Sequence, residues 1–124
     1  KIRKDELLFQ KKVLDLKINF EKTLPKKELI FMERGIPDSV VYLEMCGVTK
    51  DKDLEKAVKD CYYKKVFLLE LIKYKLDYAR TESQEEAILI DKLLEESYTS
   101  LGIKVLRVPK MSVAKRVKFI LKNL

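Results

Sequence analysis

The stretch Leu29-Ile30-Phe31-Met32-Glu33-Arg34-Gly35-Ile36-Pro37-Asp38-Ser39 decides how the chain is read. An unbroken apolar run stops at a carboxylate and a guanidinium, and glycine and proline follow at once. Such a run is expected to be a strand buried on both faces, as in parallel sheets. Gly35 and Pro37 force a sharp exit, and Asp38 or Ser39 is expected to cap the helix that follows. Ligands of open parallel sheets gather at strand carboxyl ends, which puts Glu33 and Arg34 at a prospective site.

The flanking sequence supplies elements of matching type. Phe9, Val13, Leu16, Phe20 and Leu24 keep helical spacing, which predicts one amphipathic helix from about Arg3 to Lys22, closed by Pro25. The first strand then spans Glu28–Glu33. Ser39 to Cys46 is a short helix stopped by Gly47, and Leu54, Ala57, Val58 and Cys61 mark another, capped by Thr49 or Asp51. Val66–Leu71 is the second apolar run and the second strand. Beyond it Ile72–Arg80 has no clean period and carries Tyr74, Asp77 and Tyr78, as a lid or binding loop would. Ser83 and Glu86 form a capping box that opens a long helix ending at Gly102. Ile103–Val108 is the third strand, stopped by Pro109. Ser112 caps the last helix, whose Val113, Val117, Ile120, Leu121 and Leu124 make one apolar stripe.

Strands alternating with helices predict an α/β fold: a parallel three-stranded sheet flanked by helices on both faces, with right-handed crossovers. Three loops, Arg34–Asp38, Ile72–Glu82 and Pro109–Ser112, are then expected to converge. They carry Arg34, Arg80 and Lys110, a set that suits phosphate oxygens.

Composition bounds the rest. The 124 residues allow one domain, and 47% apolar content with only three glycines and three prolines argues for a packed core. Charged residues reach 38%, so the surface is heavily solvated, and the Lys and Glu enrichment fits a thermophile or an AT-rich genome. The formal charge of +7 admits anionic partners. Its lysines are spread along every predicted helix among Asp and Glu, whereas nucleic-acid binders concentrate arginine and aromatics in a stripe. Without histidine, Cys46 and Cys61 cannot complete a tetrahedral zinc site, and Ser-His-Asp and Cys-His chemistry is excluded from the chain. Both cysteines are expected to be reduced and buried in helices. No apolar segment approaches 18 residues and no signal peptide is visible, which predicts a soluble, cytoplasmic protein with no membrane partner.

Phe31-Met32-Glu33-Arg34-Gly35-Ile36-Pro37-Asp38-Ser39 resembles the hydrophobic–Asp-Arg-Gly-(Leu/Ile)-Pro-Asp-Ser segment of a P-loop family of small AAA-type, kinase-like predicted ATPases. Val66–Leu69, then Asp77 and Arg80-Thr81-Glu82-Ser83 with Glu85-Glu86-Ala87, look like its fourth strand, lid and lid-to-helix joint. Leu101–Val108, Pro109 and the Ser112–Leu121 segment look like its closing strand and helix.

The resemblance implies a three-layer sandwich that binds ATP or GTP with Mg²⁺ and performs phosphoryl transfer to a small-molecule acceptor, or nucleotide hydrolysis. Glu33 would be the Walker B-like metal carboxylate, where the family usually has Asp. Arg34 would meet phosphate or acceptor, and Arg80 the transferring phosphoryl group. Asp38, Pro109 and Lys110 would serve nucleotide binding, the last two in the loop that packs on the base. The family's G-x-x-x-x-G-K-[ST] is not in the sequence, whose glycines are Gly35, Gly47 and Gly102. The resemblance therefore implies that the chain corresponds to the C-terminal two-thirds of the domain. The P-loop strand, which lies between the first two strands in the family, would come from a missing N-terminal segment or a second copy.

Each assignment has a structural rival. Glu33 and Arg34 can be a strand-end ion pair, Arg80 a solvated residue before a cap, Asp38 a helix cap, Lys110 a surface lysine, and Tyr74 and Tyr78 lid packing. Glu33 in place of Asp also suits a nucleotide-dependent switch without efficient turnover. A basic nucleic-acid-binding domain, motivated by charge alone, requires affinity that falls steeply with salt; a flat response eliminates it.

Overall fold

The computed structural model describes residues 4–70 and 83–124. They form two compact units, Lys1–Tyr62 and Tyr63–Leu124.

The first unit is helical: α1 (Lys4–Lys22), α2 (Ile36–Met45) and α3 (Lys52–Asp60). Asp5 and Glu6 open α1 and Lys22 closes it, each charge favourable to the helix dipole. α2 packs against both α1 and α3. Leu14, Ile36, Leu43, Leu54 and Ala57 form the core between them. α2 is the innermost element, with Ile36, Pro37, Asp38, Ser39, Val41 and Leu43 all buried. Its carboxyl end closes in a Schellman arrangement: Gly47 N–H donates to Glu44 O at 2.9 Å and Val48 N–H to Leu43 O at 2.9 Å. This turn requires φ +84° at Gly47, which glycine adopts without a Cβ clash. The Asp51 side chain accepts from Leu54 N–H at 3.0 Å and starts α3, one of the two caps expected there.

The second unit is β1 (Val66–Leu69), α4 (Gln84–Thr99), β2 (Val105–Val108) and α5 (Val113–Lys122). β1 and β2 pair in parallel, Val66 opposite Val105 through Leu69 opposite Val108. Val66 N–H to Lys104 O and Glu70 N–H to Val108 O, both 3.0 Å, extend the ladder at its ends. The Ser83 hydroxyl accepts from Glu86 N–H at 3.2 Å, the cap the sequence predicts for α4. Tyr98 is buried near the end of α4, its ring edge-on to Tyr63 at 6.1 Å between centroids. Arg107 of β2 reaches α4 with a fork, Nε to Glu95 at 2.5 Å and Nη2 to Asp91 at 2.8 Å. The pair is partly exposed, so it orients the helix more than it stabilises it.

Four expectations are corrected. The sheet has two strands among the described residues, not three, because Glu28–Glu33 joins no ladder. A run buried on both faces needs a hydrogen-bonding neighbour, and here Leu29 and Phe31 are 66% and 59% exposed. The α1 stripe is also displaced: Leu7, Leu14 and Ile18 face the core, while Phe9, Leu16 and Phe20 are exposed. α1 carries apolar residues on two faces, and spacing alone selected the outer one. On α5, Val113, Val117 and Leu121 lie exposed rather than packed, as does Leu124 just beyond it. Cys46 and Cys61 are free, as expected, but half-buried at the C-caps of α2 and α3 instead of buried within helices. Among the described residues no helix is long and apolar enough to cross a membrane.

Two substitutions test the packing and the turns. Leu43→Ala, at the least exposed position of the first core, is expected to cost about 2–5 kcal/mol in chemical denaturation. Gly102 follows α4 with φ +79° and open space around a would-be Cβ. Gly102→Ala is therefore expected to cost about 1 kcal/mol through the backbone alone, with Gly102→Asn recovering part of it.

Candidate nucleotide-site corner

The exit from the apolar run is a corner held from several directions. Arg34 sits in the left-handed region at φ +62°, a conformation costing about 1–2 kcal/mol for a residue with a Cβ. Gly35 then turns to extended backbone as the N-cap of α2. The helix begins at Ile36, three residues before the predicted start at Ser39, with Pro37 in its first turn.

Asp38 is 6% exposed, and its Oδ1 accepts from Gly35 N–H at 3.2 Å while its own N–H donates to Gly35 O at 3.2 Å. Asp38 thus reaches back to the N-cap from the third helical position, whereas the expected cap would have stood in front of the helix. Ser39, 1% exposed, is likewise inside the first turn rather than at its cap.

Lys17, from the middle of α1, donates from Nζ to Gly35 O at 3.1 Å and to Ser39 Oγ at 3.2 Å. Burial pushes this amine below its ordinary value of 10.5; Asp38 opposes the shift, Arg34 adds to it and Glu21 opposes it. The unfolded chain therefore holds the Lys17 proton more strongly than the folded one. The contribution of Lys17 to stability rises with pH between its lowered pKa and 10.5. The Arg34 guanidinium lies 5.7 Å from the centre of the Tyr42 ring, within cation–π range.

Glu33 is exposed and, among the described residues, has no ion-pair partner. The strand-end ion pair with Arg34 is therefore not formed. Beside the corner lies a cleft of about 570 Å³ with Leu16 and Phe20 of α1 on one side and residues 30–34 on the other. Its wall is mostly apolar, with Lys17, Glu33 and Arg34 as its charged members.

Among the described residues no three carboxylates or thiols gather into a metal cage. Nucleotide-bound Mg²⁺ asks for less, since one or two carboxylates suffice when phosphates and water supply the other oxygens. An exposed Glu33 carboxylate fits that demand.

The structure thus brings together Glu33, Arg34 and Asp38. Pro109 and Lys110 are exposed in the other unit, just past β2 and ahead of Ser112, whose hydroxyl accepts from Lys115 N–H at 3.3 Å. Arg80, with Tyr74, Asp77 and Tyr78, lies outside the described residues. Sequence reasoning missed Lys17 and Tyr42. The available signal for Lys17 was its place three residues after Leu14 and beside Ile18, on the face of α1 that turns inward.

Parallel strands joined through a helix, as in the second unit, are the α/β arrangement to which P-loop nucleotide-binding proteins belong. The family model described as an AAA domain matches residues 1–116, and the chain belongs to that family. Comparison with curated proteins and with solved structures gave no match.

Asp38→Ala is expected to destabilise the protein by about 1–3 kcal/mol in denaturant titration, because it strips a buried N–H of its acceptor. Asp38→Asn, which keeps an acceptor oxygen, is expected to lose less.

Proposed function

We propose that the intact protein binds ATP or GTP with Mg²⁺ and uses it for phosphoryl transfer to a small-molecule acceptor or for hydrolysis. The carrying observation is the corner itself: Glu33 and Arg34 are exposed on a backbone held in a costly conformation. Strained backbone that its surroundings hold in place is characteristic of binding and catalytic positions.

In this reading Glu33 receives Mg²⁺ directly or through water, and the metal supplies charge neutralisation at the phosphates. Arg34 offers a guanidinium to phosphate or acceptor oxygens. Arg80 neutralises charge on the transferring group, and Pro109 with Lys110 packs on the base. Asp38 serves binding through the turn that it holds. The phosphate cradle comes from a segment upstream of Lys1, which makes residues 1–124 the C-terminal part of one P-loop domain; a second copy is the alternative source.

A nucleotide switch with little turnover is the second reading, favoured by Glu33 standing where the resembling family usually has Asp. The two separate cleanly by experiment. With the upstream segment present, the protein is expected to bind MgATP or MgGTP, and Glu33→Gln to lower turnover by about 100-fold. Tight binding with negligible wild-type turnover selects the switch. Absence of binding with and without Mg²⁺ removes both.

A further inference from the structure

Lys17 has no role in the motif that points to nucleotide. It nevertheless makes two hydrogen bonds from α1 to the corner, to Gly35 O and Ser39 Oγ. Those acceptors bracket the first turn of α2: Gly35 O belongs to the N-cap and also receives Asp38 N–H, and the Ser39 hydroxyl is buried behind it. An amine placed here is disfavoured by burial and by the nearby Arg34 cation, with Asp38 and Glu21 compensating. An apolar side chain of the same length would fill the space but leave buried acceptors without this donor.

We infer that Lys17 is a positioning residue, gripping Gly35 O and Ser39 Oγ from α1 so that the anchored start of α2 holds the two residues just before it, Glu33 and Arg34, in a fixed geometry. The hydrogen bonds act immediately after the left-handed residue, where the chain has the most to gain by relaxing. The inference rests on the reading of this corner as part of the nucleotide site. A displacement there of about 1 Å is enough to cost roughly 100-fold in rate.

The test compares wild type, Lys17→Met, Lys17→Arg and Ser39→Ala in the full-length protein, with MgATP and MgGTP as the probes. Turnover and affinity are measured per folded molecule, with the folded fraction taken from circular dichroism. Lys17→Met is expected to lose about tenfold or more in turnover while affinity changes less, and Lys17→Arg, which restores a cationic donor, to recover most of it. Ser39→Ala removes one acceptor and is expected to fall between, and it decides the matter if Lys17→Met does not fold. If wild type is active and the folded variants match it, the positioning role is overturned while the nucleotide reading stands. If wild type neither binds nor turns over either nucleotide, the nucleotide reading is overturned and this role with it.

Discussion

Burying the first turn of a helix leaves backbone N–H groups that water cannot reach, and the start of α2 meets that constraint with its own Asp38. α2 is the central helix of the first unit, and Gly35 through Ser39 are buried at its start. Asp38 supplies an acceptor from within the helix and Lys17 supplies donors from α1. The Lys17 bonds tie α1 to the start of α2 beside the apolar core that the two helices share. Arg34 is left with the abrupt change of direction, and its φ of +62° is the local cost of that turn. Exposure of Glu33 and Arg34 thus follows from the burial of their neighbours.

The corner divides its work between buried and exposed groups. Asp38, Ser39 and Lys17 spend their polar atoms on the protein itself, whereas Glu33 faces solvent. Arg34 stands between the two, exposed as a residue yet with its guanidinium over Tyr42. At 5.7 Å from the ring centre the guanidinium is within cation–π range of an aromatic face that belongs to α2 itself. In the proposed nucleotide reading, a corner held this way by the protein's own bonds lowers the entropy lost on binding.

Features that depend on one or two neighbouring residues were legible in the sequence. Asp51, Ser83 and Ser112 cap the helices expected of them, and Gly47 and Gly102 occupy left-handed positions at helix ends. Features that depend on a distant partner were not. Leu29–Met32 has the composition of a buried strand, yet a strand exists only where another backbone accepts its hydrogen bonds. The inward face of α1 was ambiguous because Leu14 and Leu16 are equally apolar, and only contact with α2 distinguishes them. Lys17 carries no local signal for the same reason: its acceptors belong to another element. The motif around Glu33 and Arg34 was readable as a corner, whereas the means of holding it was not.

The parallel pairing of β1 and β2 also sets the order in which the second unit can form. No tight turn can join parallel neighbours, so the ladder from Val66–Val105 to Leu69–Val108 closes only after the whole intervening chain has been traversed. The entropy of that closure is lost before any strand pairing compensates for it. α4, begun at Ser83 by a local cap, needs no such closure to nucleate and shortens the distance that β2 must search. The entropic cost of pairing β1 with β2 is therefore lowered by an element that contributes no strand to the sheet.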